Sequence, residues 1–338
     1  MKVVCLLIIS LLLMGCEKND EEVLSHIILK QKEVNVYSDT YLYDLFQTKD
    51  IELITQNKLI DTLELGNNSY FIEYTFDKNK YKYEISYEVV DNESPRYFGG
   101  TNKTIPINYD KDLCNLVMYG DNYDGDLSCT IIGDYDLSKK GVYKVIYKIT
   151  DNSNNTTDIN VTLNVVENNS SSGNSSQTKK TYFEEVLKEH KNDNTEVGID
   201  VSKWQGNIDF EKVKNAGATF VMMRIGVQTK QNGELNIDPY YEQNIKNAKA
   251  AGLKVGVYLY SIATNSQEAV EHANWVIEKL DGETLDLPIV FDWENWSKWN
   301  TYKMSFYEIN DIANKFMNEV EKHGYKGMLY SSKYYLEN

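Results

Sequence analysis

The chain has 338 residues, 41% of them hydrophobic and 12% aromatic, which suits two or three folded domains and excludes a disordered chain. Its formal charge of −16 leaves no basic excess to neutralise phosphates, so nucleic acid is excluded as a partner. The same balance suits a solvated extracellular surface and says little about an uncharged ligand.

At the N-terminus Lys2 precedes the apolar run "VVCLLIISLLLMGC", and "EKNDEE" then turns abruptly polar. The run is too short to span a bilayer comfortably and has the shape of a signal-peptide core. Its end, Leu13-Met14-Gly15-Cys16, resembles a bacterial lipobox, in which the cysteine is lipidated and becomes the mature N-terminus. A plain signal peptide and an uncleaved anchor are the other readings. The charges directly after Cys16 favour the lipoprotein, with residues 1–16 as its signal. Every reading puts the mature chain outside the cytoplasm, and the lipoprotein reading ties it to the outer face of the membrane. With Cys5 inside the signal, Cys114 and Cys129 remain as an even pair in an oxidising compartment, which permits a disulfide. Their spacing is not that of a metal site and histidine is scarce, so no metal is expected there.

Residues 24–167 carry strand signals: alternation, β-branched and aromatic residues, and turn clusters, clearest in "YFIEYTF", "YKYEISYEVV", "GVYKVIYKIT" and "TDINVTLNVV". Two segments end alike, "YEISYEVVDNESP" and "DINVTLNVVENNS", which divides the region into tandem β-sandwich modules at 24–92 and 93–167. The second resembles bacterial Ig-like surface modules through Asp124-Gly125-Asp126, Gly141-Val142-Tyr143 and the turn Thr150 to Asn154. The resemblance implies a spacer or weakly adhesive unit. Asp124 and Asp126 offer oxygens to a calcium ion but lack a full ligand set, so they read as a solvated turn. Residues 168–192 form a linker, with "NNSSSGNSSQTKK" as its low-complexity part and the helical "TYFEEVLKEHKN" at its end.

From 193 to 338 strand and helix signals alternate, the pattern of a parallel α/β fold. Strands read at 197–202, 219–225, 254–260, 288–294 and 327–331. One helix is expected to start at Asp238 with Pro239 in its first position and to stop before Gly252. Another opens on Ser305 and Glu308, a capping-box pattern, and ends at Gly324, with the stripe Phe306, Ile309, Ala313, Phe316 and Val320. Side chains alternate faces along a strand, and in a β/α barrel one face meets helices while the other lines the lumen. Ile289, Phe291 and Trp293 then face helices, whereas Asp292 and Glu294 point inward. By the same rule Asp200, Arg224, Tyr258 and Tyr260 point inward, all late in their strands, where such barrels build active sites. Inward Asp292 and Glu294 lie two strand rises apart, about 6 to 7 Å at the backbone. Close carboxylates in a shielded site push their pKa values apart, leaving one proton donor and one ionised group, as glycosidic cleavage requires. A structural role, pairing with Arg224 or capping backbone, is the alternative. Three acids on one face favour chemistry.

The stretches "GIDVSKWQGNIDFEKVKNAGATFVMMRIG", "DPYYEQNIKNAKAAGLKVGVYLYSIATNSQEA", "LPIVFDWEN" and "GYKGMLYSSKYYLEN" resemble glycoside hydrolase family 25, the Chalaropsis-type lysozymes or N-acetylmuramidases. The family's Asp-x-Glu falls on Asp292 and Glu294, and its first-strand Asp on Asp200. The resemblance implies Glu294 as general acid, Asp292 orienting the substrate's 2-acetamido group, and Asp200 supporting the pair or the incoming water. Tyr258, Tyr260, Arg224 and Trp204 become substrate contacts, although Trp204 fits a packing role equally well. The implied partner is the peptidoglycan glycan strand, cut at the β-1,4 bond between N-acetylmuramic acid and N-acetylglucosamine by a monomer without cofactor. Five strand signals stand where a closed barrel has eight, so an incomplete TIM-like barrel is expected. That incompleteness supports a second reading, an inactive remnant serving as a wall-binding or adhesive lipoprotein.

Overall fold

The computed structural model describes residues 26–167, 181–229 and 233–336. The lipobox with Cys16, and the low-complexity part of the linker, lie outside the described residues. Among the described residues no helix is long and apolar enough to cross a membrane. The chain divides into two compact units, Met1–Asn92 and Glu93–Asn338.

The first unit is built on a long antiparallel hairpin, Gly66–Phe76 against Asn79–Val90. Its two-residue turn places Asp77 and Lys78 at φ of 46° and 62°, a left-handed pair whose twist matches that of the strands it joins. Ile72, Tyr74, Ile85, Tyr87 and Val89 alternate inward and are buried. Short strands at Glu33–Asn35 and Glu52–Leu53 complete a four-stranded sheet, and Ile27–Leu29 pairs with Phe46–Thr48 in a separate ribbon.

The second unit begins with another β-module. Strands Ser128–Ile132, Gly141–Thr150, Thr156–Val166 and Asn102–Pro106 form its sheet in that order, the last pair parallel. Arg96–Phe98 and Met118–Gly120 form a two-stranded ribbon. Val145, Tyr147, Val161, Leu163 and Val165 fill the core with Ile105 and Leu113. A disulfide joins Cys114 to Cys129. The Asp124–Asp126 turn differs from the solvated loop expected. Asp124 is buried, because its carboxylate accepts the backbone N–H of Asn152 at 2.9 Å and the Asn152 side-chain amide at 2.8 Å. Asp126 pairs instead with Lys303, far along the chain.

The rest of the unit is a parallel sheet with helices on one face. Strands β1 (Gly198–Val201), β2 (Phe220–Gln228), β4 (Lys254–Tyr260), β5 (Ile289–Asp292) and β6 (Gly327–Tyr330) lie side by side in chain order, and β3 (Leu235–Ile237) folds back antiparallel on β2. The crossovers include helices α1 (Phe210–Asn215), α2 (Tyr241–Ala250), α3 (Ser266–Leu280), α4 (Trp299–Tyr302) and α5 (Phe306–Lys322). Val221, Met223, Val255, Val257, Leu259, Ile289 and Phe291 form the helix-facing layer, and each is fully buried. Helix α5 starts on the expected capping box: Ser305 accepts from the N–H of Glu308, and the Glu308 carboxylate from the N–H of Ser305. Two boundaries near the cleft differ from expectation. Helix α2 begins at Tyr241 rather than Asp238, because the Asp238 carboxylate is committed to Arg224 and to the N–H groups of Lys203 and Tyr240. Strand β5 ends at Asp292, so Glu294 stands just beyond it, where the Trp293 N–H still bonds the carbonyl of Tyr330.

The disulfide closes a loop of sequence separation 15. Reducing it is expected to destabilise the second β-module by about 3 kcal/mol, through the entropy regained by the unfolded chain. Urea unfolding with and without reductant, beside a Cys114→Ser/Cys129→Ser double variant, measures this loss.

Candidate active site

Strand pairing sets the site's rows. Across the inner face Arg224, Tyr258, Val290 and Met328 stand abreast, and one layer further along stand Tyr260, Asp292 and Tyr330. Asp200 lies beside Met222 on the neighbouring pair. These residues, with Trp204 and Glu294, line one cleft of about 480 Å³. All three sequence-identified acids therefore meet in one place, and so do the inward Tyr258, Tyr260 and Arg224. Trp204 lines the same cleft at 77% exposure, with the Lys203 ammonium over its ring at 4.9 Å.

Asp292 is 5% exposed, and its Oδ1 has no hydrogen-bond partner among the described residues. Burial, the neighbouring Glu294 charge and a hydrogen bond to Glu294 push its carboxyl up to about 8, with Asp200 adding to the rise and Arg224 opposing it. Two carboxyls this close cannot both ionise freely, so the pair retains one proton near neutral pH. Glu294 is the exposed member, reaching into the open cleft. Partial burial raises the Asp200 carboxyl, against the lowering effects of its hydrogen bond from Tyr258 and of Arg224. Burial and the Asp200 charge raise the Tyr258 hydroxyl, which therefore stays a donor.

Arg224 is not free to grip a ligand with its whole fork. Its Nε and Nη2 donate to Asp238 Oδ2 at 2.8 and 2.6 Å, with the Asp238 side chain almost fully buried. The same oxygen accepts the Lys203 N–H at 2.9 Å, so Asp238 ties the turn carrying Trp204 to the lumen. Sequence reasoning missed Asp238 as a site partner because "DPYY" reads locally as a helix start. It also missed Tyr330, whose hydroxyl is raised chiefly by the Glu294 charge. Alternation along "GMLYS", carried through to β6, marks Tyr330 as inward. Elsewhere, Asp121, Asp124 and Asp151 in the second β-module are buried and bring carboxylate oxygens within 4.8 Å of one another. They lie outside the cleft.

An unfolded Asp releases its proton near 3.8, whereas folded Asp292 holds it to about 8. The folded state therefore loses relative stability as pH rises between those values. Asp292→Asn is expected to remove that slope and to melt above the wild type at pH 8, with the gap closing towards about pH 4. Thermal melts across this range check the sign.

Residues 199–338 match the family model described as Glycosyl hydrolases family 25. The uncharacterized protein YegX of Escherichia coli (strain K12) is 30% identical over 135 residues, covering 40% of this chain and 47% of that protein. The Autolytic lysozyme of Clostridium acetobutylicum is 28% identical over 142 residues, 42% of this chain and 40% of that one. Among solved structures, the modular autolysin LytC from Streptococcus pneumoniae superposes with a TM-score of 0.39 at 26% identity, over 57% of this chain and 44% of that one. The chain spans less than half the length of these relatives.

Proposed function

We propose that this chain, whose residues 199–338 form a glycosyl hydrolase family 25 domain, hydrolyses peptidoglycan at the β-1,4 bond between N-acetylmuramic acid and N-acetylglucosamine. The observation that carries the reading is the Asp292–Glu294 pair, which keeps one proton at the mouth of a cleft that also holds Asp200. Glu294 faces solvent and delivers the pair's shared proton, passed to it across the hydrogen bond from Asp292, to the glycosidic oxygen as the C–O bond breaks, leaving Asp292 ionised. Asp292, deeper and hydrogen-bonded to Glu294, orients the 2-acetamido group and stabilises the positive charge developing at the sugar carbon. Asp200, steadied by Tyr258, supports the pair and the water that adds to the sugar. Trp204 and Tyr260 offer flat apolar faces to pyranose rings. In this reading Cys16 carries the lipid anchor, and the β-modules hold the hydrolytic domain at the wall.

The test is release of soluble glycan from purified peptidoglycan by residues 17–338, beside Glu294→Gln. Loss of the acid is expected to lower the rate by about 10²- to 10⁴-fold. Equal release by both proteins, or none by either, rejects the hydrolase and leaves a wall-binding remnant. The rate should also fall as pH rises through about 8, where the pair gives up its proton. A pH–rate profile on the same substrate reads that limb.

A further inference from the structure

The residues after Glu294 form only short elements, which pack on Trp293 through Trp296, Trp299 and Tyr302. Trp296–Lys298 is a single 3-10 turn and α4 has four residues, far below the length at which a helix sustains itself in water. The second β-module braces them from the other side. Asn300 in α4 donates its side-chain amide to the Val117 carbonyl at 2.9 Å, and its Oδ1 accepts the Tyr119 N–H at 3.3 Å. Lys303 pairs with Asp126 at 2.9 Å. The N–H groups of Phe306 and Tyr307 donate to the carbonyls of Asp121 and Asn122 at 2.8 and 3.3 Å. Phe98 meets the Phe306 ring edge-on, and Trp299 stacks on the same ring.

The fit is close enough to exclude a side chain at two positions. A Cβ on Gly125 would lie 2.0 Å from the Lys303 carbonyl oxygen, and one on Gly120 would lie 2.6 Å from the Phe306 ring. The far end of α4 connects back to the acids. Buried Asn295, next to Glu294, donates to the Tyr302 hydroxyl. The Trp296 N–H bonds the Glu294 carbonyl at 2.8 Å, and its indole donates to Ser331, which in turn donates to the Trp293 carbonyl. Contact thus runs unbroken from the β-module through α4 to the backbone on both sides of Glu294.

We propose that the second β-module is a positioning element of the hydrolytic site, and that Asn300 is the positioning residue through which it holds the Glu294 loop. The inference rests on the reading of Glu294 as proton donor, and it makes this module a working part of the enzyme rather than a spacer. Displacing a reacting group by about 1 Å costs up to about 100-fold in rate, so a loosened loop should be felt in turnover before binding.

The experiment compares the full chain with Asn300→Ala, which removes this residue's two bonds to the β-module, and Gly125→Ala, which wedges the surfaces apart from the module side. Amide hydrogen exchange is followed across residues 295–305 and along strand Thr156–Val166, together with kcat and KM for glycan release. Two lost hydrogen bonds should speed exchange across 295–305 by about tenfold or more, while Thr156–Val166 keeps its protection. Turnover should fall several-fold with KM held within about twofold. Exchange across 295–305 matching wild type in both variants overturns the proposal, and so does a loosened loop with unchanged kcat. A wild-type chain that releases no glycan counts against the hydrolase reading alone, and the exchange result then decides the brace by itself.

Discussion

A shortage of positive charge governs the cleft. Among the described residues that line it, Arg224 is the one cation, set among Asp200, Asp292 and Glu294. Its guanidinium is already engaged by buried Asp238. The remaining carboxylates must therefore relieve their mutual repulsion in another way, and the least costly is to keep a proton. Asp292 does so because it is the deepest of them and shares a hydrogen bond with Glu294. The poised proton is thus a consequence of how the sheet distributes charge, not a property of either acid in isolation.

The same economy explains the arrangement around the sheet. Its helix-facing layer is apolar from Val221 and Met223 through Val257 to Phe291, and Asp200, Arg224 and Asp292 on these strands are directed to the other face. Asp238 then does several things with one carboxylate: it neutralises Arg224, holds the turn that presents Trp204, and organises the approach to α2. Burying such a pair is tolerable only because its hydrogen bonds are nearly complete.

The second β-module and the α/β domain share a surface built from residues that have little in common locally. Val117, Tyr119 and Asp121 contribute backbone groups, and Asn300 and Phe306 meet them from nearly two hundred residues away. Nothing in either stretch marks it as an interface. Gly120 and Gly125 read as turn residues, and Gly125 sits inside the very motif that suggests an independent surface module. Their meaning lies in the absence of a Cβ where another backbone passes. Asp124 departs from the solvated turn for a related reason: local composition speaks for solvation, whereas Asn152 arrives from elsewhere in the chain, while Asp126 stays exposed beside Lys303.

Periodicity in the sequence determined the parallel strands, their inner and outer faces, and hence the convergence of Asp200 and Asp292, with Glu294 just past the strand end. Side-chain alternation along a strand is a local property, fixed by backbone geometry. The capping box at Ser305 was equally legible, since Ser305 and Glu308 satisfy each other within one turn. Tertiary structure alone decided which carboxyl stays protonated, that Asp238 serves Arg224 rather than capping a helix, that Tyr330 joins the acids, and that a β-module steadies the loop behind Glu294. Each of these depends on burial and on partners brought together through space. Desolvation and charge coupling are set by distance in the folded chain, and sequence spacing carries no record of that distance.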